Sequence, residues 1–170
     1  MVVDESGFSL IPYVAKTWAP IGQTPVLIHQ GRWPKFSAIS GVTPRGRLYF
    51  RVHPRSICGP QVIAFLHHLL RHIRCRPIMI FWDSGPYHRS KVVRAFLATQ
   101  PRLEVHRFPG YSPELNPDEW VWGYLKKHEL ASYAPHDVRK LRRGVRLSVM
   151  RIRVRPSLIR SFVAARHLYD

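Results

Sequence analysis

The run PIMIFW, residues 77–82, opens with proline, is wholly apolar, is too short for a helix and ends on Asp83. Such a segment reads as a central strand buried on both faces of a sheet. The next two segments support this. Residues 90–99 carry Val92, Val93, Phe96 and Leu97 at helical spacing, and LEVHRF (103–108) reads as a second strand. Strand, helix, strand is a crossover unit that sets its two strands parallel. A chain built around it belongs to the α/β class.

The remaining segments fit the same plan. KFSAISGV (35–42) and GRLYFRVH (46–53) flank TPRG and predict an antiparallel hairpin. Gly59-Pro60 suits the start of a helix, in which Val62, Leu66, Leu69 and Ile73 recur on one face. NPDEWVWGYLKKHEL (116–130) reads as a further helix, and two basic helices are expected over 136–149 and 156–168. With no repeat and no low-complexity stretch, 170 residues make one domain, 1–170, of which 136–170 is a basic C-terminal helical part.

Charge then narrows the partners. Basic residues outnumber acidic ones 27 to 10, for a net charge of +17, and 21 of the 27 are arginine. The guanidinium fork grips phosphate oxygens in pairs, so this surplus favours a nucleic-acid backbone. A merely basic surface protein is the alternative. Cys58 and Cys75 form no CxxC pair, which speaks against a zinc ribbon and a disulfide scaffold. No run is apolar for membrane-spanning length and the first residues lack signal-peptide character, so a soluble, cytoplasmic protein with no membrane partner is expected.

From Ser6 to Leu103 the only acid is Asp83. At the carboxyl end of a central strand it would project into the crevice where α/β sheets bind ligands. Asp4, after MVV, could lie on the adjacent strand. Asp83 would equally well begin an Asx turn in DSGP. A third acid is Glu119, in YSPELNPDEWVW. Asn116 is a good N-cap there, and Glu119 could simply complete a capping box with it. Yet Pro109, Gly110, Pro113 and Pro117 constrain the preceding loop and so fix where the first carboxylates of that helix point.

Taken together, DESGF, FWDSGPYH and FPGYSPELNPDEWVWGYLK resemble the three acidic motifs of the DDE transposases, in particular the bacterial insertion-sequence branch of the mariner superfamily. The 35 residues between Asp83 and Glu119 are similar to the second spacing of that superfamily, and WAPIGQTPV (18–26) resembles the stretch after its first acid. The resemblance covers nearly the whole chain. It implies a ribonuclease H-like fold, a five-stranded mixed sheet flanked by helices. It further implies metal-dependent DNA strand cleavage and strand transfer, with Asp4, Asp83 and Glu119 as catalytic residues and ligands of two Mg²⁺ or Mn²⁺ ions, Asp4 bridging. Hard oxygen donors suit those ions on chemical grounds alone.

Departures are Ser84 where the family usually has Asn, Asp118 where an aliphatic residue is common, and the lack of helix-turn-helix modules before Asp4. The last implies a truncated copy or the downstream frame of a frameshifted element. Expected partners are double-stranded DNA, both element ends and target, the helix-turn-helix product of the upstream frame, and a second copy in a homodimer. A bacterial, nucleoid-associated protein is implied. Arg89, Lys91, Lys126, Lys127 and His88 are the DNA-binding candidates nearest the motifs; His88 could instead orient a ligand or start a helix. Two other classes stay open: a non-catalytic relic that still binds DNA, and a ribonuclease H-like nuclease acting on RNA–DNA hybrids.

Several features fit structure as readily as function. His67, His68 and His72 share one helix without acidic or cysteine partners, so they read as surface or part-buried histidines. Trp120 and Trp122 could stack on a base but suit a helix core. RIRVRP (151–156) alternates as a strand does, tracks phosphates, or forms a solvated edge. Finally, crowding of three acids predicts that Asp83→Asn leaves the metal-free protein at least as heat-stable as the parent.

Overall fold

The computed structural model describes residues 1–16, 18–27, 34–110 and 112–164. Five strands form one sheet: β1 (Val2–Ser9), β2 (Lys35–Val42), β3 (Leu48–His53), β4 (Ile78–Trp82) and β5 (Leu103–Arg107), in the order β3-β2-β1-β4-β5. The expected hairpin is β2–β3, antiparallel from Val42 beside Leu48 to Ser37 beside His53. The expected crossover is β4–α2–β5, with α2 at Lys91–Ala98 and Ile78 level with Leu103. The sheet is therefore mixed, β1–β2–β3 antiparallel and β1–β4–β5 parallel.

Two apolar layers sandwich it. On one face, α1 (Gly59–His72) lays Val62, Phe65, Leu66 and Leu69 against Val3, Ile39, Ile80 and Trp82. Each such side chain gains roughly 1.5–3 kcal/mol from burial, which outweighs the modest contribution of the helix cap, where Gln61 Oε1 accepts from the Cys58 amide at 3.2 Å. On the other face, α3 (Pro117–Tyr124), α4 (Val138–Arg153) and α5 (Pro156–Ala164) cover Phe8, Phe36, Ala38 and Leu48 of β1 to β3. Phe8 stacks on Phe36 with centroids 5.1 Å apart and meets Trp122 edge-on at 6.0 Å.

Three local expectations are corrected. PIMIFW is not buried on both faces, because α3 to α5 pack over β1 to β3 and leave Met79 47% exposed. The helix from Asn116 does not run unbroken to Leu130: α3 gives way to a π turn over Leu125–Glu129, closed by Leu130 N to Leu125 O at 2.9 Å. Both leucines are buried, and five residues of α-helix would turn them about 140° apart, whereas the wider turn brings them to one side. RIRVRP is neither strand nor extended track; it is the last turn of α4 and the break before α5. Residues 165–168 of the second expected basic helix lie outside the described residues.

The turn between β2 and β3 depends on Gly46, at φ +79°, whose amide donates to Thr43 O at 2.9 Å. A Cβ there would sit 2.4 Å from the Pro156 carbonyl oxygen, so Gly46 also lets α5 dock on the hairpin. We expect Gly46→Ala to lose about 2 kcal/mol or more in denaturant unfolding. Gly123→Ala, in α3 with nothing within 4 Å of the added carbon, should gain roughly 0.5–1 kcal/mol.

Candidate active site

Register builds the site. β1 pairs with β4 at Val2 beside Phe81, and carrying that pairing two residues further sets Asp4 level with Asp83, just where β4 ends. Side chains alternate along β1, so adjacent acids part company: Asp4 turns to the α3 side with Phe8, and Glu5 turns to the α1 side with Val3. On the α3 side, Trp122 Nε1 donates to Asp4 Oδ2 at 3.1 Å. Trp122 is thus a core residue that also holds Asp4, while Trp120 stays exposed.

Asn116 caps α3 as expected, its side chain accepting from the Asp118 amide at 3.1 Å. Glu119 enters the helix through its amide, bonded to Asn116 O at 3.1 Å, and its residue lines a cleft rather than closing a capping box. Asp4, Asp83 and Glu119 all line that cleft, beside Ser84, Gly85 and Asn116. Its far wall is Phe108, Pro109, Gly110 and Ser112, the proline-constrained loop. The three acids chosen from sequence therefore share one cavity, at the carboxyl end of β4 and beside the first half of β1.

Asp83 serves the turn and the site together. Its Oδ1 accepts from the Gly85 amide at 2.8 Å, the anticipated Asx turn, and is also 2.8 Å from His88 Nδ1. A Cβ on Gly85 would lie 2.9 Å from that oxygen, so glycine permits the wrap. His88, expected as a DNA contact or as a residue that orients a ligand, is not at the surface. It is buried, stacked on Trp82 at 4.1 Å, and its Nε2 is 3.0 Å from Glu5 Oε1. With a carboxylate on each nitrogen, no ring donor remains for a phosphate. Burial alone would lower the imidazole, but hydrogen bonds to Asp83 and Glu5 carry it up to about 9. The same contact with His88 holds Asp83 below the usual carboxylate range.

Asp4 has the opposite environment. Burial, then the neighbouring charges of Glu5 and Glu119, push it up to about 7. Asp118, fully buried, is raised well above the ordinary range by burial and by Asp4. Its Oδ1 accepts from Ser40 Oγ at 2.6 Å, and its Oδ2 has no partner among the described residues. Of the cationic candidates, Arg89, Lys91 and Lys127 are exposed. Lys126 is half-buried, with Nζ 5.6 Å from the centroids of Phe8 and Tyr13; burial lowers it against the pull of Glu119 and Asp4.

A divalent cation fits this donor set. Oxygen donors line the acidic part of the cleft, and burial together with the neighbouring carboxylates of Glu5 and Glu119 pushes the Asp4 carboxyl up to about 7, a cost that a bound cation would offset. Among the described residues no three His, Cys, Asp or Glu side chains already stand as one ion's ligand set. Binding would therefore draw the carboxylates inward.

The DDE superfamily endonuclease model matches residues 1–142. The chain belongs to the DDE superfamily endonucleases. No curated protein matches it at a significant level. Among solved structures, the mariner Mos1 paired-end complex with Mg aligns at TM-score 0.67 and 18% identity, covering 97% of this chain and 54% of that one. The Mos1 paired-end complex with left transposon end gives 0.65 and 18% over the same shares, and the isolated catalytic domain of Mos1 mariner transposase gives 0.60 and 17%, covering 97% and 81%. At these identities the likeness establishes the ribonuclease H-like fold. The chain spans about half the length of the longer Mos1 chains.

Within this DDE endonuclease domain, sequence reasoning missed Glu5, Asp118 and the roles of His88 and Trp122. Asp118 was visible only as an oddity at an aliphatic position. The crowded acids also relocate an expectation. Removing the charge of Asp83 would forfeit its pairing with His88, so relief of repulsion belongs to Asp4. A carboxyl raised from 3.8 to about 7 on folding stabilises the fold fully below pH 4, and that contribution disappears as pH rises through 7. Metal-free protein should lose stability between pH 4 and 7, and Asp4→Asn should raise the melting temperature at pH 8 while flattening that slope. Thermal unfolding in EDTA across this range measures both.

Proposed function

We propose that this domain is the catalytic part of a transposase of the bacterial insertion-sequence branch, cutting DNA strands at element ends and joining them to target DNA. The observation that carries the proposal is that Asp4, Asp83 and Glu119 of a DDE endonuclease line one cleft fed by β1, β4 and the start of α3. Asp4, Asp83 and Glu119 would hold two Mg²⁺ or Mn²⁺ ions. When bound, such ions would supply activation of the attacking oxygen and stabilisation of the leaving oxygen in an in-line displacement at phosphorus.

The chain's own residues prepare that chemistry. His88 holds one oxygen of Asp83, so the other is presented to the cleft in a fixed orientation. Trp122 does the same for Asp4. Phe108, Pro109, Gly110 and Ser112 line one side of the cleft and limit the approach of the phosphodiester. Lys126, drawn toward Glu119 and Asp4, offsets the charge of the incoming phosphate, and exposed Arg89, Lys91 and Lys127 hold the backbone without reading bases. No protein nucleophile is needed: water, then a DNA 3′-hydroxyl, attacks.

Partners follow from the same proposal. Element ends and target are duplex DNA, a helix-turn-helix product supplies end recognition, and two copies pair the ends. The domain acts at the bacterial nucleoid.

Nicking of supercoiled plasmid in Mg²⁺ and in Mn²⁺, with the helix-turn-helix product added, is the test. Asp4→Asn, Asp83→Asn and Glu119→Gln should each cut at least roughly 100-fold more slowly while binding duplex as the parent does. Parent-like cutting by any of the three removes that residue from the site. Cleavage of RNA–DNA hybrid but not duplex would reassign the activity to a hybrid nuclease.

A further inference from the structure

Arginines that the active site does not use are gathered in one region. They line a groove and a neighbouring recess along β3, the sheet edge farthest from β4 and β5. One wall is the end of α1 with Arg71, the floor is Arg51 of β3, and the other wall is α4 with Arg146 and Arg153. Arg146 leads it along α4 over Arg139 and Arg143, and a separate recess at the start of β3 carries Arg45, Arg47, Arg74 and Arg76. No Asp or Glu among the described residues lines any part of it. Among the described residues none of these arginines is paired with a carboxylate.

Two observations say that the charges are concentrated rather than merely numerous. His68, in the groove, is lowered to about 4 by burial and by His72, Arg51, Arg153 and Arg71. Arg142 beside it keeps a buried Nε without a partner among the described residues. Uncompensated like charge on three elements opposes folding, so a solvated edge explains it poorly. Lysine would serve to keep an edge strand from pairing, yet every basic residue named here is arginine, whose planar fork fits phosphate oxygens.

We propose that this edge groove holds the phosphate backbone of a second DNA duplex, separate from the strand at the acids. Position makes it separate. Arg74 and Arg76 precede β4, at the opposite end from Asp83 and about 16 Å away along five strand residues. Among the described residues, the acid cleft and the arginine groove share no lining residue. The proposal rests on the strand-transfer reading, which requires two DNA segments, one cut and one joined. Contacts are to backbone, so the groove is indifferent to sequence.

The test titrates the protein with a short fluorescent duplex and reads stoichiometry and salt dependence. The parent should take two duplexes per chain. Arg47→Gln/Arg51→Gln/Arg146→Gln/Arg153→Gln, shown folded by circular dichroism, should take one. Its summed salt slope should fall by about 3.6, at about 0.9 per lost phosphate contact. Metal-dependent nicking by this variant should persist while joining to target falls at least tenfold. A milder pair, Arg51→Gln/Arg153→Gln, carries the same comparison if the fourfold change unfolds the chain. Unchanged stoichiometry and slope would overturn the proposal, as would equal, variant-sensitive binding of polyglutamate or of anionic phosphatidylserine vesicles. Failure of the parent to nick would instead defeat the transposase reading and leave the binding titration to decide the groove.

Discussion

Four carboxyl groups, Asp4, Glu5, Asp118 and Glu119, crowd the junction of β1 and α3 in a chain whose net charge is +17. Everything else in the domain can be read as a response to that concentration. Asp118 is buried, its carboxyl raised well above the ordinary range by burial, and accepts from Ser40; Glu5 turns to the other face and meets His88; Asp4 accepts from Trp122. None of these devices supplies a free positive charge inside the cleft. The arrangement is one that a divalent cation would complete, and packing rather than local preference holds it together meanwhile.

The two sides of the sheet divide the work. The α1 face carries the brace Glu5–His88–Asp83, closed over by Trp82 and Tyr87, whose hydroxyl burial keeps protonated. The α3 face carries Asp4 and Glu119. Because Asp83 follows β4 at the boundary between them, one histidine on the hidden face orients a carboxylate that lines the cleft on the open face. That is why His88 reads so easily as a DNA contact from sequence: five residues after Asp83 it stands close to the site, but strand geometry directs it inward.

Much of this is legible in the order of the amino acids. The crossover, the hairpin and the amphipathic α1 are written in spacings, and short-range spacing is what fixes strands and helices. Asp83 stands out because no other acid occurs near it, and Glu119 because four conformationally restricted residues point its helix. Three kinds of information are not local. The π turn answers to Leu125 and Leu130 both needing the core, a demand set by α4 and α5. The pairing of Glu5 with His88 joins residues 83 apart in the chain, and Trp122 with Asp4 residues 118 apart. The arginine groove is assembled from α1, β3 and α4, so composition announces a phosphate partner without saying where it lies.

The central claim is that the cluster of acids exists to hold divalent metal, and anomalous diffraction from crystals soaked in Mn²⁺ tests it most directly. Peaks are expected in the cleft, contacted by oxygens of Asp4, Asp83 and Glu119, with the carboxylates drawn inward and the His88 brace unmoved. Peaks only at His68 and His72, or an empty cleft in crystals where Mn²⁺ is bound elsewhere, would contradict it.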